Sequence, residues 1–216
     1  MRANFKELSD KFSNLNERDN EDFISFYGNY KNEILKLSDF DTDEELYLMV
    51  VINHTYGRSL LYGSKNYEKA EEYLEVARSL ILNNRVKFSL DLTDDIWYLQ
   101  TLQHLLKISL DLKNYNKSKE LLKELKLIDN ENVSEYNMEE KEINRIRRYK
   151  IFEMLIYCGM GLIAISMTYK FVTSVSMVFI DSLGIAIGLI GIIGGYFNKD
   201  SLKGTALKDK FVRSLK

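Results

Sequence analysis

Two histidines and one cysteine are the whole supply of imidazole and thiol ligands in these 216 residues. His54 and His104 occupy similar places in two apolar helical stretches, from which both can face one groove. A protein-held metal wants three or four ligands. No Cys or His cluster supplies them, so neither metal nor cofactor is expected. Paired carboxylates such as Glu71/Glu72 and Glu139/Glu140 read as solvated helix faces rather than as an acid and its conjugate base. Most of the 11 glycines lie in a C-terminal apolar block, which leaves no glycine-rich loop to cradle a phosphate. Cys158 sits inside that block with no second cysteine to pair with, which fits a reducing compartment. No catalytic constellation emerges, and the chain does not read as an enzyme.

The apolar block, Ile151 to Phe197, is the dominant feature. Its ionisable side chains are Glu153, Lys170 and Asp181. One helical crossing needs roughly 20 apolar residues, so the block is expected to cross twice, over about 149–169 and 175–197. The turn between them carries Lys170, Thr173 and Ser174. Glu153 lies within a turn of the basic flank, and Asp181 near the turn. Neither resembles a midplane proton relay. Arg145, Arg147, Arg148 and Lys150 precede the first span, and Lys199, Lys203 and further lysines follow the second. Basic flanks stay on the cytoplasmic side. Both termini are therefore expected in the cytoplasm, with these cations at anionic lipid headgroups of a bacterial inner membrane. Gly184, Gly188, Gly191 and Gly195 share one face of the second span. Gly161, with Cys158, Ala164 and Thr168, gives the first span a small-residue face. Small residues let helix backbones approach in lipid. The glycine face is open to two readings: packing of the two spans, or contact between protomers of a homo-oligomer.

Stepping outward, the residues ahead of the block are expected to hold it in place and to do the recognising. Met1 to Asn144 carries 19 Lys/Arg against 28 Asp/Glu, and Arg145 to Lys216 carries 11 against 4. An acidic front half argues against nucleic-acid binding. Met1 to Ser13 has no apolar run and does not read as a signal peptide. Apolar spacing predicts an amphipathic helix through Phe5, Leu8, Phe12 and Leu15, and a second from about Asn20 to Leu37. Asn84–Leu92 alternates apolar and polar residues and reads as an extended connector, the alternative being an edge that pairs with a partner strand. From Ser134 one helix is expected to run into the first span, with no proline in the chain to break it. The fold class is all-α. A cytosolic helical domain (1–132) leads through a linker helix (133–150) to the transmembrane hairpin (149–197). A basic juxtamembrane tail (198–216) follows, with Leu202, Leu207, Phe211 and Leu215 suited to a surface helix.

Two stretches repeat. Thr42-Asp43-Glu44-Glu45 opens a helix to Tyr62, and Lys65-Asn66-Tyr67 breaks it before a second helix. Thr93-Asp94-Asp95 opens a helix to Leu112, and Lys113-Asn114-Tyr115 breaks that one. This is an internal repeat of a helical hairpin. Within it, Tyr67, Ala70, Leu74 and Ala77, and more loosely Tyr115, Ser118, Leu122 and Leu125, resemble the second-helix pattern of the tetratricopeptide repeat (TPR). The spacing from Tyr67 to Tyr115 is 48 residues rather than about 34, and Gly57 lies one position from the family's first-helix glycine. The resemblance, over about Thr42–Asp129, implies TPR-like hairpins stacked into a concave surface that holds a protein or peptide. Tyr47, Tyr56, Tyr62, Trp97, Tyr98 and His104 are its candidate groove residues. The implied function is a non-enzymatic, membrane-anchored adaptor. The alternative is a membrane-disrupting effector of defence or toxin type, whose helical domain senses a signal and drives the hairpins to oligomerise.

Overall fold

The computed structural model describes residues 1–16, 19–173 and 182–190, and all regular structure among them is helical. The chain divides into two compact units, Met1–Asn137 and Met138–Lys216.

The first unit holds α1 (Ala3–Ser13), α2 (Asn20–Ile34), α3 (Asp43–Ser59), α4 (Tyr67–Phe88), α5 (Ile96–Asp111) and α6 (Tyr115–Ile128). Caps decide where these helices start. Thr42 accepts from Glu45 N, and Glu45 reaches back to Asp41 N at 3.0 Å, a capping box shifted by one residue. Asn66 and Asn114 cap α4 and α6 identically, accepting from Lys69 N and Lys117 N. The residues before them, Lys65 and Lys113, turn left-handed at φ 54° and 55°, which ends α3 and α5 and folds each chain back into a hairpin. The start of α5 departs from the sequence expectation. Asp95, not Thr93, is its N-cap, accepting from Tyr98 N, while Thr93 donates to Asp91.

Two hairpins result, α3–α4 and α5–α6, with α4 also packed on α5 and with α1 and α2 against α3. Ala70, Leu74, Ala77 and Ile81 form the buried stripe of α4 and are fully covered. Each large aliphatic buried this way contributes on the order of 1.5–3 kcal/mol. A π-helical turn, Leu60–Ser64, joins α3 to its break. In α5 the closing bond runs from Asn114 N to Ser109 O, five residues back; in α3 it runs from Asn66 N to Leu60 O, six back. The π turn thus takes up one extra residue. Gly57 then meets α4 where a Cβ would lie 2.8 Å from Leu74 Cγ and 3.1 Å from Ala70 O.

Asn84–Leu92 is not an extended connector. The helix α4 runs to Phe88, and Ser89 closes it left-handed at φ 52° with Leu90 N bonded to Arg85 O. With no strand among the described residues to pair with, helical bonds are what satisfy this backbone, and Val86 simply stands 91% exposed.

The first unit closes on a 3₁₀ segment, Asn130–Tyr136, pinned where Tyr136 Oη donates to Asp129 at 2.7 Å. The second unit begins with α7, Asn137–Thr173. The expected single helix from Ser134 therefore starts three residues later, because the chain first turns through 3₁₀ geometry. One helix among the described residues, this C-terminal one, is long and apolar enough to cross a membrane, and only 11% of its apolar window is buried. Residues 182–190 are helical as well.

Candidate functional site

Polar and aromatic side chains gather on the seam between α3 and α5. Tyr47 Oη donates to Asp95 Oδ2 at 2.7 Å, and Asp95 Oδ1 accepts from Tyr98 N at 2.9 Å, so one carboxylate caps α5 and ties it to α3. Burial first, and then Asp95, push the Tyr47 phenol up. Two helical turns on, His54 is 1% exposed. It meets Thr101 Oγ1 through Nδ1 at 2.9 Å and stands edge-on to Trp97, with ring centroids 5.3 Å apart. His104 lies 5.2 Å from His54, centroid to centroid. Burial holds both rings neutral, His54 at about 3 and His104 at about 4, helped by the positive charge of Arg58 and, for His104, of Lys107. Tyr62, 48% exposed, sits in the π turn with its hydroxyl 3.5 Å from His104 Nδ1.

Four of the six expected groove residues, Tyr47, Tyr62, Trp97 and His104, therefore share this seam. The other two do not. Tyr56 stacks on Tyr27 at 4.1 Å and meets Tyr73 edge-on at 4.6 Å, inside the packing of α2, α3 and α4. Tyr98 is fully buried, donates to the Glu124 carboxylate, and has its phenol pushed up to about 12 by burial and that carboxylate. Both phenols lie on the wrong helix face for the seam. His54, expected with His104 to face one groove, is on the seam too, and the residues the sequence did not single out are Arg58, Thr101 and Lys107. Tyr47, His54, Arg58 and Tyr62 recur at helical steps, as do Trp97, Thr101 and His104, and that spacing is the signal that identifies them.

A concavity of about 410 Å³ opens between α4 and α6 and is lined by Glu75, Arg78, Asn114, Lys117, Glu120 and Glu124 among others. Arg78 pairs with Glu124 at 2.6 Å, and Lys117 with Glu71 and Glu75 at 2.6 Å each. Arg78 and Lys117 are occupied in stitching one hairpin to the next. Among the described residues no group of three or more His, Cys, Asp or Glu is placed to hold a metal ion.

In the second unit, a Cβ on Gly159 of α7 would lie 2.6 Å from Gly188 N and 2.9 Å from Gly184 O. The two helices therefore cross backbone to backbone at glycines. Gly161 is elsewhere, with nothing within 4 Å of its Cβ position, and Cys158, Ala164 and Thr168 are exposed with it. The small-residue face expected on the first span is thus not the one that packs. Gly159, two residues before Gly161 and about 200° round the helix, is the contact. Around it Ile151, Met154, Tyr157, Met160, Ile165 and Met167 are exposed. Arg145 pairs with Glu142 at 2.9 Å, while Arg147, Arg148 and Lys150 are exposed. Gly191, Gly195, Lys199, Lys203, Asp181 and the basic tail lie outside the described residues.

No protein-family model, curated protein or solved structure matches this chain.

Proposed function

We propose that this chain is a non-enzymatic adaptor, held in a bacterial inner membrane by a two-span hairpin, that binds a protein or peptide partner on the α3–α5 seam at the cytoplasmic face. The observation that carries the reading is the seam itself: Tyr47, His54, Tyr62, Trp97 and His104 aligned on the first helices of two consecutive hairpins. First helices are the ones TPR-like hairpins present on their concave side. The π turn adds to the likeness. Its extra residue accounts for Gly57 lying one position early, yet still meeting Ala70 and Leu74 as a close-packing glycine.

The membrane part of the proposal rests on the apolar, largely exposed surface of α7 and on its close glycine crossing with 182–190. Both termini are cytoplasmic, with Arg147, Arg148 and Lys150 at the lipid headgroups. Gly184 and Gly188 are occupied by Gly159 of the same chain, which favours anchoring over the effector reading, where that face would meet other protomers. The test is to express the full chain and its Gly188→Leu variant in cells while following membrane potential. An adaptor leaves the potential unchanged in both. Depolarisation by the parent chain that disappears in the variant replaces the adaptor with the effector.

A further inference from the structure

The seam has a chemical polarity that helix packing alone does not require. Thr101 carries one hydroxyl hydrogen, and it is donated to Trp97 O at 2.6 Å. Thr101 Oγ1 must then accept from His54, 2.9 Å away, which places the His54 proton on Nδ1. Nε2 is left with a lone pair. It is buried and has no hydrogen-bond partner, and an unmet buried acceptor is unfavourable until a donor reaches it. The charge of Arg58 bears on both rings and that of Lys107 on His104, and both side chains are half-buried. Neither has an ion-pair partner among the described residues. A local excess of positive charge in so acidic a half of the chain is unusual, since 28 Asp/Glu precede residue 145. The complement of this surface carries a negative charge and, close to it, an N–H or O–H donor.

We propose that the seam grips an acidic segment of its partner: an Asp or Glu carboxylate settles between Arg58 and Lys107, and a neighbouring main-chain N–H donates to His54 Nε2 as the His104 ring turns aside. Negative charge supplies the attraction, and the buried acceptor fixes the segment's register. The inference rests on the adaptor reading and names the partner's chemistry. Tyr62, at the mouth of the seam, covers the bound segment.

The full chain in neutral-lipid nanodiscs is titrated with two fluorescent dodecapeptides, one alternating Glu and Ala, the other Lys and Ala. The Glu–Ala peptide is expected to bind at least tenfold more tightly, to weaken with added salt, and to lose tenfold or more in the Arg58→Glu/Lys107→Glu variant. Arg58→Lys retains binding. With only two histidines in the chain, imidazole nitrogen NMR follows His54 directly: its unprotonated Nε2 resonance shifts on binding in the parent chain and not in the double variant. Equal affinity for the two peptides, no binding of the Glu–Ala peptide, or binding that survives Arg58→Glu/Lys107→Glu overturns the proposal. If a crosslinker at Tyr62 still captures a partner in any of those cases, the adaptor reading stands without the acidic segment. If Tyr62 captures nothing, both fall.

Discussion

Acid should loosen the hairpin joint through His54 and His104 in particular. Both rings are neutral in the fold, with pKa values of about 3 and about 4, whereas in the unfolded chain an imidazole titrates near 6.5. A folded pKa below the unfolded one means the unfolded chain binds more protons between those values. Stability is then complete above about pH 6.5 and falls as pH drops toward 4 and 3. Going from pH 7 to pH 5, each ring withdraws about 2 kcal/mol, and the two together about 4 kcal/mol. That is a large share of the roughly 5–15 kcal/mol typical of a folded domain. The assay is urea unfolding of the full chain in neutral-lipid nanodiscs, followed by emission of Trp97, the single tryptophan and a direct neighbour of His54. A His54→Gln/His104→Gln variant, which has nothing left to titrate there, should keep most of the stability that the parent loses at pH 5. If parent and variant lose equal amounts over that interval, the rings are not buried neutral groups and the packing described for the seam is wrong.

Other perturbations bear on the same architecture. Gly159→Leu should break the glycine crossing in the second unit, costing about 1–3 kcal/mol through overpacking, while Gly161→Leu should be silent. Thermal melts of the two variants in nanodiscs distinguish them. Gly57→Ala forces a methyl to 2.8 Å from Leu74 Cγ, and is expected to lower the urea midpoint by an amount equivalent to about 1–3 kcal/mol, with Leu74→Ala partly restoring tolerance. Arg2→Ala removes the clamp on Glu45, a carboxylate with no exposed surface. Burial raises the Glu45 pKa, but hydrogen bonds from Arg2 and Asp41 N overcome this and hold it at about 2. That contribution is present above about pH 4.5 and is lost as pH falls toward 2. The variant should therefore be less stable at pH 7 and less sensitive to acid below pH 4, as read by circular dichroism.

Local chemistry was legible where side chains act on their own backbone. Lys-Asn-Tyr, met twice, announces a break followed by an Asn cap, and both copies fold identically. Thr42 with Glu45 likewise marks the start of α3. The misreadings arise where a neighbour decides. Val86 and Phe88 alternate with polar residues, but with no strand among the described residues to pair with, the backbone stays helical. Asp95 displaces Thr93 as the cap because Tyr47, 48 residues away in sequence, holds the Asp95 carboxylate from across the seam. Tyr56 and Tyr98 have the residue type of a groove but occupy faces turned to α2 and α6. Gly161 aligned with other small residues, yet the crossing falls at Gly159, two residues back and on nearly the opposite side of the helix, a choice that only the packed pair defines. The lone pair of His54 depends on which way one Thr101 hydroxyl points. No periodicity encodes that.

The central claim, a partner bound on the α3–α5 seam at a membrane, is tested most directly by photo-crosslinking in living cells. A crosslinking amino acid is placed at Tyr62, at the mouth of the seam, and separately at Leu127, 70% exposed on α6. The expected result is a discrete crosslinked species from position 62, in the membrane fraction, that is lost in Arg58→Glu and absent from position 127. A species formed from position 127 alone, or the same species from both positions regardless of Arg58, would contradict it.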